Sequence, residues 1–549
     1  MLKLKLLPLL FLLSSFAAEA FAAPAQAPME MPAEPLRKLQ GRFLHITDMH
    51  PDPHYRPDMS EKSACHRNKP KKASPRSGDY GMPYSQCDSP FTLTNLTMDF
   101  LEKEWSSEID FVIWTGDSAR HDNDRKKPRT TNEIYMLNRA MARRMEEVFT
   151  IKGIPVIPSI GNNDVWPHNI MLPGPNTVTS EFSSIWRSFV PFASYQVFQR
   201  GGYFSVEVVP GALAVISLNT MYFYHSNTAV GGCDAMDSQD PGNLQFDWLE
   251  VQLEVFRGRG MQVWISGHVP PSAVNFFPDC YARYTELSLR YQDTILGHLY
   301  GHMNADHFYF LDAEHLRDQR SQEKRAVFDN PRTEKRKGLY KSLLKDFEDM
   351  PKTSKNTSYD GYAVVNVSPS VVPNPYMPSF RIFTYNITGT PYAPSHLDGQ
   401  AAISTCNANT ERSTRCKDQK HWHTHPESPS RTNRLWTPLG YAQYYLPALD
   451  ASSKKHPPKY RLEYLTYPLA LLHPPDAAAE AQFAYPIPRR HLPKSLRNAT
   501  RSESKYAPYR LEDLTIPSWT GLARRLAEGT EEKLRKRFRK YMYMGADEA

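Results

Sequence analysis

Short apolar runs recur along the chain, and most of them stop at Gly, Asp, Asn or His. The first begins near Arg42 with Phe-Leu-His-Ile-Thr. Others span Phe111–Thr115, Val156–Ile160, Tyr203–Val208, Leu213–Ser217, Gln262–Ser266 and, more weakly, the stretch Ile-Leu-Gly-His-Leu-Tyr that ends at Tyr300. Runs of this length between turn residues predict buried strands. Apolar residues at helical spacing predict helices over Leu93–Trp105, Glu133–Phe149 and Leu244–Phe256. In the second of these, Ile134, Leu137, Met141, Met145 and Val148 share one face. Strands alternating with helices predict an α/β layered domain with functional residues at strand ends.

Beyond His307 the texture changes. Residues 312–360 are rich in charge, with apolar periodicity around Leu339–Phe347, and predict an inserted loop carrying a short helix. Strands resume at Tyr362–Val367 and Phe380–Tyr385. A C-terminal extension is expected over 401–549, with a polar excursion to Trp436 and aromatic-rich segments at Tyr441–Leu446 and Tyr460–Tyr467 packing on the core. It ends in a helix from about Gly521 that holds Lys533, Arg535, Lys536, Arg537, Arg539 and Lys540. The domain itself is expected over 42–400, after a Pro/Ala-rich linker at 24–41.

Residues 1–23 read as a targeting segment: Lys3 and Lys5 precede the apolar run from Leu6 to Phe16, and Ala-x-Ala sites follow. The run is shorter than the ~20 apolar residues of a membrane span. Two outcomes stay open, a cleaved signal peptide or an anchor that tethers the protein to a membrane. Either exports the body of the chain. Six cysteines without a Cys-x-x-Cys pair suit that route, with sequence neighbours paired as Cys65–Cys87, Cys233–Cys280 and Cys406–Cys416. Glycan acceptor tripeptides begin at Asn95, Asn356, Asn366, Asn386 and Asn498. With 40% hydrophobic residues the chain is globular. A net charge of +7 suits an anionic substrate, and no specific nucleic-acid recognition is expected.

The chemistry lies in five segments, each after an apolar run: Asp48-Met49-His50, Gly116-Asp117, Gly161-Asn162-Asn163-Asp164, Gly267-His268 and Gly301-His302. A site for two metal ions needs Asp, His and Asn from several strand ends, with one carboxylate able to bridge. Asp48 and His50, two residues apart, reach one side. Asp117 supplies the bridging carboxylate, Asn162 an amide oxygen, and His268 and His302 imidazole nitrogens. This mixed N/O set suits two divalent ions of Zn, Mn, Fe or Co, rather than a calcium cage.

The pattern resembles the calcineurin-like metallophosphoesterase superfamily. The opening Asp48-Met49-His50-Pro51-Asp52-Pro53-His54-Tyr55 and His121, four residues after Asp117, are similar to its acid-sphingomyelinase-like branch. Gly161-Asn162-Asn163-Asp164-Val165, the run from Gly301 to Phe308 and Thr515-Ile516-Pro517-Ser518-Trp519 most resemble the fungal vacuolar endopolyphosphatases. The resemblance implies a four-layer α/β/β/α sandwich with long inserted loops, metal-dependent cleavage of internal phosphoanhydride bonds in inorganic polyphosphate, and a vacuolar location. Within it, His121 is the expected catalytic acid.

Two residues depart from the superfamily pattern. Asn163 stands where a His assists the leaving group, and Asn304 where a second His binds metal. Asn304 keeps the ligand spacing through its amide oxygen; His307 is the alternative if the loop bends. A phosphoanhydride leaves as a stable phosphate anion and needs less proton donation than an alkoxide, so one acid, His121, suffices. Arg120 and the basic Cys65–Cys87 loop, with Lys126 and Lys127, are candidates for holding neighbouring phosphates. The cluster His421-Trp422-His423-Thr424-His425 reads as exposed histidines in a polar loop. Two other functions remain as rivals: an acid-sphingomyelinase-like phosphodiesterase, disfavoured because no cysteine precedes the first motif, and a non-catalytic polyphosphate-binding protein.

Overall fold

The computed structural model describes residues 38–71, 74–313, 338–350, 358–393, 422–473, 486–497 and 503–546. In chain order the first strands are β1 (Arg42–Ile46), β2 (Phe111–Trp114), β3 (Val156–Pro158), β4 (Phe204–Val209), β5 (Leu213–Ser217) and β6 (Gln262–Ser266). They are followed by β7 (Ile295–Tyr300), β8 (His307–Asp312), β9 (Tyr362–Val367), β10 (Ser379–Tyr385), β11 (Pro438–Tyr445) and β12 (Arg461–Leu465). The helices include α1 (Phe91–Glu104), α2 (Thr131–Val148), α3 (Thr177–Ile185), α4 (Tyr195–Gly201), α5 (Pro241–Gly258) and α6 (Pro278–Arg290). Three more are α7 (Leu339–Asp349), α8 (Ile516–Ala527) and α9 (Glu532–Met542).

The strands form two six-stranded mixed sheets, ordered β12-β11-β10-β1-β2-β3 and β4-β5-β6-β7-β9-β8. In the first, β1, β2 and β3 are parallel neighbours; in the second, β5, β6, β7 and β9 are. Register sets Phe111, Phe43 and Phe383 side by side, with centroids 4.7 and 5.0 Å apart, and Trp264 of β6 packs edge-on against Phe43 at 5.1 Å. These aromatic residues join the inner faces of the two sheets. On the first sheet's outer face, Phe100 of α1 meets Phe380 and Tyr444. α5 and α6 lie against the second sheet. The result is the α/β/β/α sandwich, and Thr130 caps α2 by accepting from the Glu133 N–H.

Strands from beyond residue 401 belong to this architecture: β11 pairs antiparallel with β10, and β12 with β11. α9 buries Leu534, Phe538, Tyr541 and Met542, leaving its basic residues on the outer side. β8 follows directly after the Gly301-His302 segment and pairs with β9. The Cys65–Cys87 and Cys233–Cys280 disulfides are present. Cys406, Cys416, His421 and residues 1–37 lie outside the described residues. Among the described residues, no helix is long and apolar enough to cross a membrane. Two glycan acceptors need correction. Asn366 is buried in β9, and the buried Asn386 donates its Nδ2 to Asn433, so both side chains are packed rather than open for attachment. Asn95 is exposed.

Candidate metal centre

Each ligand candidate leaves the C-terminal end of a parallel strand. Asp48 and His50 follow β1, Asp117 follows β2, Asn162 β3, His268 β6 and His302 β7. Parallel neighbours end in the same direction, so their loops collect at one edge of the sandwich. The backbone turns sharply there, with positive φ at Asp48 (51°), His50 (38°), Asp117 (57°), His302 (69°) and Asn304 (56°). Non-glycine residues adopt this region at a cost of ~1–3 kcal/mol each and hold it only where surroundings enforce it. Here the loops brace one another through Asp48 N to Gly116 O (3.0 Å), Met49 N to Asp117 O (3.0 Å) and Gly301 N to His268 O (3.1 Å). Packing is tight enough that a Cβ on Gly161 would lie 2.0 Å from Asp117 Oδ1, and one on Gly301 2.0 Å from Thr47 Oγ1. Both positions require glycine.

Two sets of donor atoms share Asp117. His50 Nε2 lies 3.5 Å from Asp48 Oδ1 and 3.4 Å from Asp117 Oδ2. On the other side, His268 Nε2 lies 3.3 Å from Asp117 Oδ2 and 2.8 Å from Asn162 Oδ1, and His302 Nδ1 lies 2.9 Å from that same amide oxygen. Asp48, His50 and Asp117 can each offer one atom within 4.8 Å of the others. Several buried atoms on these loops have no hydrogen-bond partner, among them His50 Nε2, Ser118 Oγ, Asn163 Oδ1 and Asn304 Oδ1. Buried polar atoms left unpaired are costly unless a cation, a proton shared with a carboxylate or a water meets them. The remaining ring nitrogens are fixed: His50 Nδ1–H donates to Ala119 O (2.6 Å) and His268 Nδ1–H to Thr115 O (2.8 Å), which turns each Nε2 inward. These residues fit divalent cations.

Asn304 donates its Nδ2 to Asn374 O (2.8 Å), which defines the orientation of the amide. His307 instead opens β8, donates Nδ1–H to Ala305 O, stacks with Tyr309 and lines a cavity of about 610 Å³. Burial pushes its pKa down to about 4.

Asp164, given no role by the sequence, organises the loop. Its carboxylate accepts from the N–H groups of Asp117 (2.9 Å), Ser118 (2.8 Å), Ala119 (3.1 Å) and Gly161 (3.0 Å), and from Asn138 Nδ2 (3.0 Å). Asn163 points at the shared carboxylate, donating N–H to Asp117 Oδ1 and Nδ2 to Oδ2.

His121 stacks on His50 with ring centroids 3.9 Å apart. Its N–H and Nδ1–H both donate to the Asp88 carboxylate, at 2.6 and 2.7 Å. This grip leaves Nε2 as the working edge of a ring that is partly exposed beside the ligands. Asp88 follows Cys87, so the Cys65–Cys87 disulfide anchors the residue that orients His121.

Arg120 requires a correction. Its guanidinium is buried and turned away, donating Nε and Nη2 to Glu133 (2.7 and 3.2 Å), Nη1 to His121 O and Nη2 to Lys127 O. With four hydrogen bonds inside the protein, it serves to tie the Asp117–His121 loop to α2, and not to receive substrate. Much of the basic Cys65–Cys87 loop is also committed: Arg67 pairs with Asp124, and Lys69 and Arg76 approach Asp58. His66 is buried between Asp52 (2.7 Å) and Asp124 (2.8 Å). Lys126 and Lys127 are exposed. His423 packs near Tyr291 and His425 near Tyr392, so these two histidines do not converge on one point.

The electrostatics of the metal-free centre express its demand for positive charge. Burial opposes protonation of His50 and His268, but the Asp117 carboxylate outweighs it and raises both to about 9. Burial likewise works against a charged Asp117, yet His268 and His50 hold its carboxyl well below the usual range. Protons on two imidazoles thus occupy the role that cations fill in the loaded site.

Residues 41–302 match the family described as calcineurin-like phosphoesterase. A protein named endopolyphosphatase from Cryptococcus neoformans var. neoformans is 38% identical, over 93% of this chain and 92% of its own length. One of the same name from Schizosaccharomyces pombe is 31% identical, over 94% and 89%. Another, from Candida glabrata, is 37% identical over 64% of this chain, which spans only 62% of that relative.

Proposed function

The chain belongs to the endopolyphosphatase family of calcineurin-like phosphoesterases, and on that premise we propose that it hydrolyses internal phosphoanhydride bonds of inorganic polyphosphate. The observation that carries the proposal is the convergence of two donor sets on Asp117 Oδ2, with Asp48 and His50 on one side and Asn162, His268 and His302 on the other. Asn304, whose buried Oδ1 is left unpartnered by the Nδ2 bond to Asn374, would add a further ligand. Two divalent cations, if held by these residues, would supply positive charge to the phosphate oxygens and lower the pKa of water.

The chain's own residues do the rest. Asp117 and Asp48 place negative charge where cations are wanted, and the Asp164 and Asn163 hydrogen bonds hold Asp117 in one orientation. His121, aligned by Asp88, directs Nε2 toward the departing oxygen, where it donates a proton or hydrogen bond. Asn163 brings no acid to the leaving group. A phosphate leaving group tolerates that loss. Lys126 and Lys127, both exposed and close in sequence to this loop, are available to the flanking phosphates of a polyanion. The two disulfides favour an oxidising, lumenal setting, which agrees with a vacuolar location.

The test compares polyphosphate with sphingomyelin as substrates for the purified full chain supplied with divalent ions. Cleavage of polyphosphate with sphingomyelin untouched is expected. The reverse preference would replace this reading with the lipid phosphodiesterase, and binding without hydrolysis under any divalent ion would replace it with a storage protein.

A further inference from the structure

An asparagine ligand presents a problem that a histidine or aspartate does not. Its amide has an oxygen that can meet a cation and an NH2 that repels one, and the two ends have nearly the same shape. Something must fix which end faces the site. In this chain Asn162 Oδ1 sits 2.8 Å from His268 Nε2 and 2.9 Å from His302 Nδ1, while both N–H bonds of Nδ2 point the other way. They meet His168 Nε2 and Asn169 Oδ1, each at 3.0 Å.

The loop that delivers these acceptors is built for the purpose. From Asn163 it runs out and folds back, so that Asn169 N–H donates to Asn162 O (3.3 Å) and Ile170 N–H to Pro167 O (2.9 Å), with Asn169 at φ 69°. The buried Arg129 holds its root, donating Nη1 to Asn163 O (2.6 Å) and lying 5.6 Å over the Trp166 ring. His168 itself is exposed, so its placement is not a by-product of core packing.

We infer that His168 and Asn169 are positioning residues that set the Asn162 amide, so that its oxygen faces the second cation position beside His268 and His302. The inference rests on the two-cation reading above. Partners of this kind typically contribute ~10–100-fold to metal affinity.

The experiment is a titration of the metal-free full chain with Mn2+ against a competing chelator, counting ions and affinities, with thermal melts in parallel. Wild type is expected to bind two ions in two steps. His168→Ala and Asn169→Ala are expected to weaken one step by ~10–100-fold, leaving the other step and the metal-free melting temperature unchanged. His168→Gln, whose side-chain oxygen can accept, is expected to restore much of the lost affinity. If wild type binds two ions and both alanine variants match it at both steps, or lose both steps equally, the inference is overturned alone. If wild type binds one ion, the two-cation reading falls and the inference falls with it.

Discussion

Asn163 grips Asp117 with two hydrogen bonds of 2.8 Å, its backbone N–H to Oδ1 and its side-chain Nδ2 to Oδ2. An amide offers no acid to a leaving group; what Asn163 does here is orient the Asp117 carboxylate. Asn163→Ala is expected to lower kcat by ~10–100-fold, the usual cost of removing such a partner. Asn163→His is expected to bring no gain on polyphosphate, because the imidazole breaks the Oδ2 contact without serving a leaving group that needs help. Steady-state kinetics with both variants check this.

Asp117 itself should tolerate no neutral substitute. Asp117→Asn retains the shape and the Asn163 backbone contact but removes the charge between His50 and His268. Turnover is expected to fall further than for any orienting residue, with folding retained by circular dichroism. Near-normal activity contradicts the assignment.

His121 and Asp88 should act as a pair. His121→Ala is expected to reduce kcat by ~10²–10⁴-fold, the range of general acid catalysis. Asp88→Asn is expected to cause a smaller loss of the same kind, and both losses should shrink on activated aryl phosphates, whose leaving groups need no proton. A double-mutant cycle measures the coupling, and additive losses mean that Asp88 does not work through His121.

Arg120→Ala should damage stability rather than substrate binding. It leaves the half-buried Glu133 with His54 as its remaining partner and frees the loop from α2, a loss on the order of 1–3 kcal/mol. Denaturant unfolding is expected to shift while KM changes little. A raised KM with unchanged stability would return Arg120 to the substrate.

The pH dependence follows from His50 and His268, both raised from 6.5 to about 9 in the metal-free centre. Cations need neutral imidazoles, so binding releases protons and apparent affinity should rise with pH until about 9. For the same reason the metal-free protein should lose stability as pH rises from about 6.5 through 9, since its proton-dependent stabilisation is present below that window and gone above it. The loaded protein should lack this loss. Calorimetry in buffers of different ionisation enthalpy, with melts across pH, measures both.

The sequence made the strands that carry ligands legible because they are continuous apolar runs. Leu213–Ser217, Gln262–Ser266, Ile295–Tyr300 and Tyr362–Val367 have the boundaries that the pattern predicts. β8 was obscured by the charged stretch that follows it, and β11 and β12 read as aromatic packing segments because their pairing is long-range. The ligand motifs are legible by spacing; their convergence depends on which strands lie parallel and adjacent, which spacing does not encode. Direction was not legible. Arg120 adjoins the centre in sequence, but beyond Asp117, at φ 57°, its side chain goes to Glu133. Asp88 lies 33 residues from His121, and Asp164 stands inside a ligand motif without spacing that tells it from a ligand, so neither orienting role could be read from the sequence.

The most direct measurement is the size distribution of products from a defined long polyphosphate, followed over time with divalent ions, with chelator, and with Asp117→Asn. The account predicts chains of intermediate length early in the reaction, absent with chelator and nearly absent with the variant. Unshortened polyphosphate with every divalent ion, or orthophosphate released from the ends without intermediate chains, would contradict it.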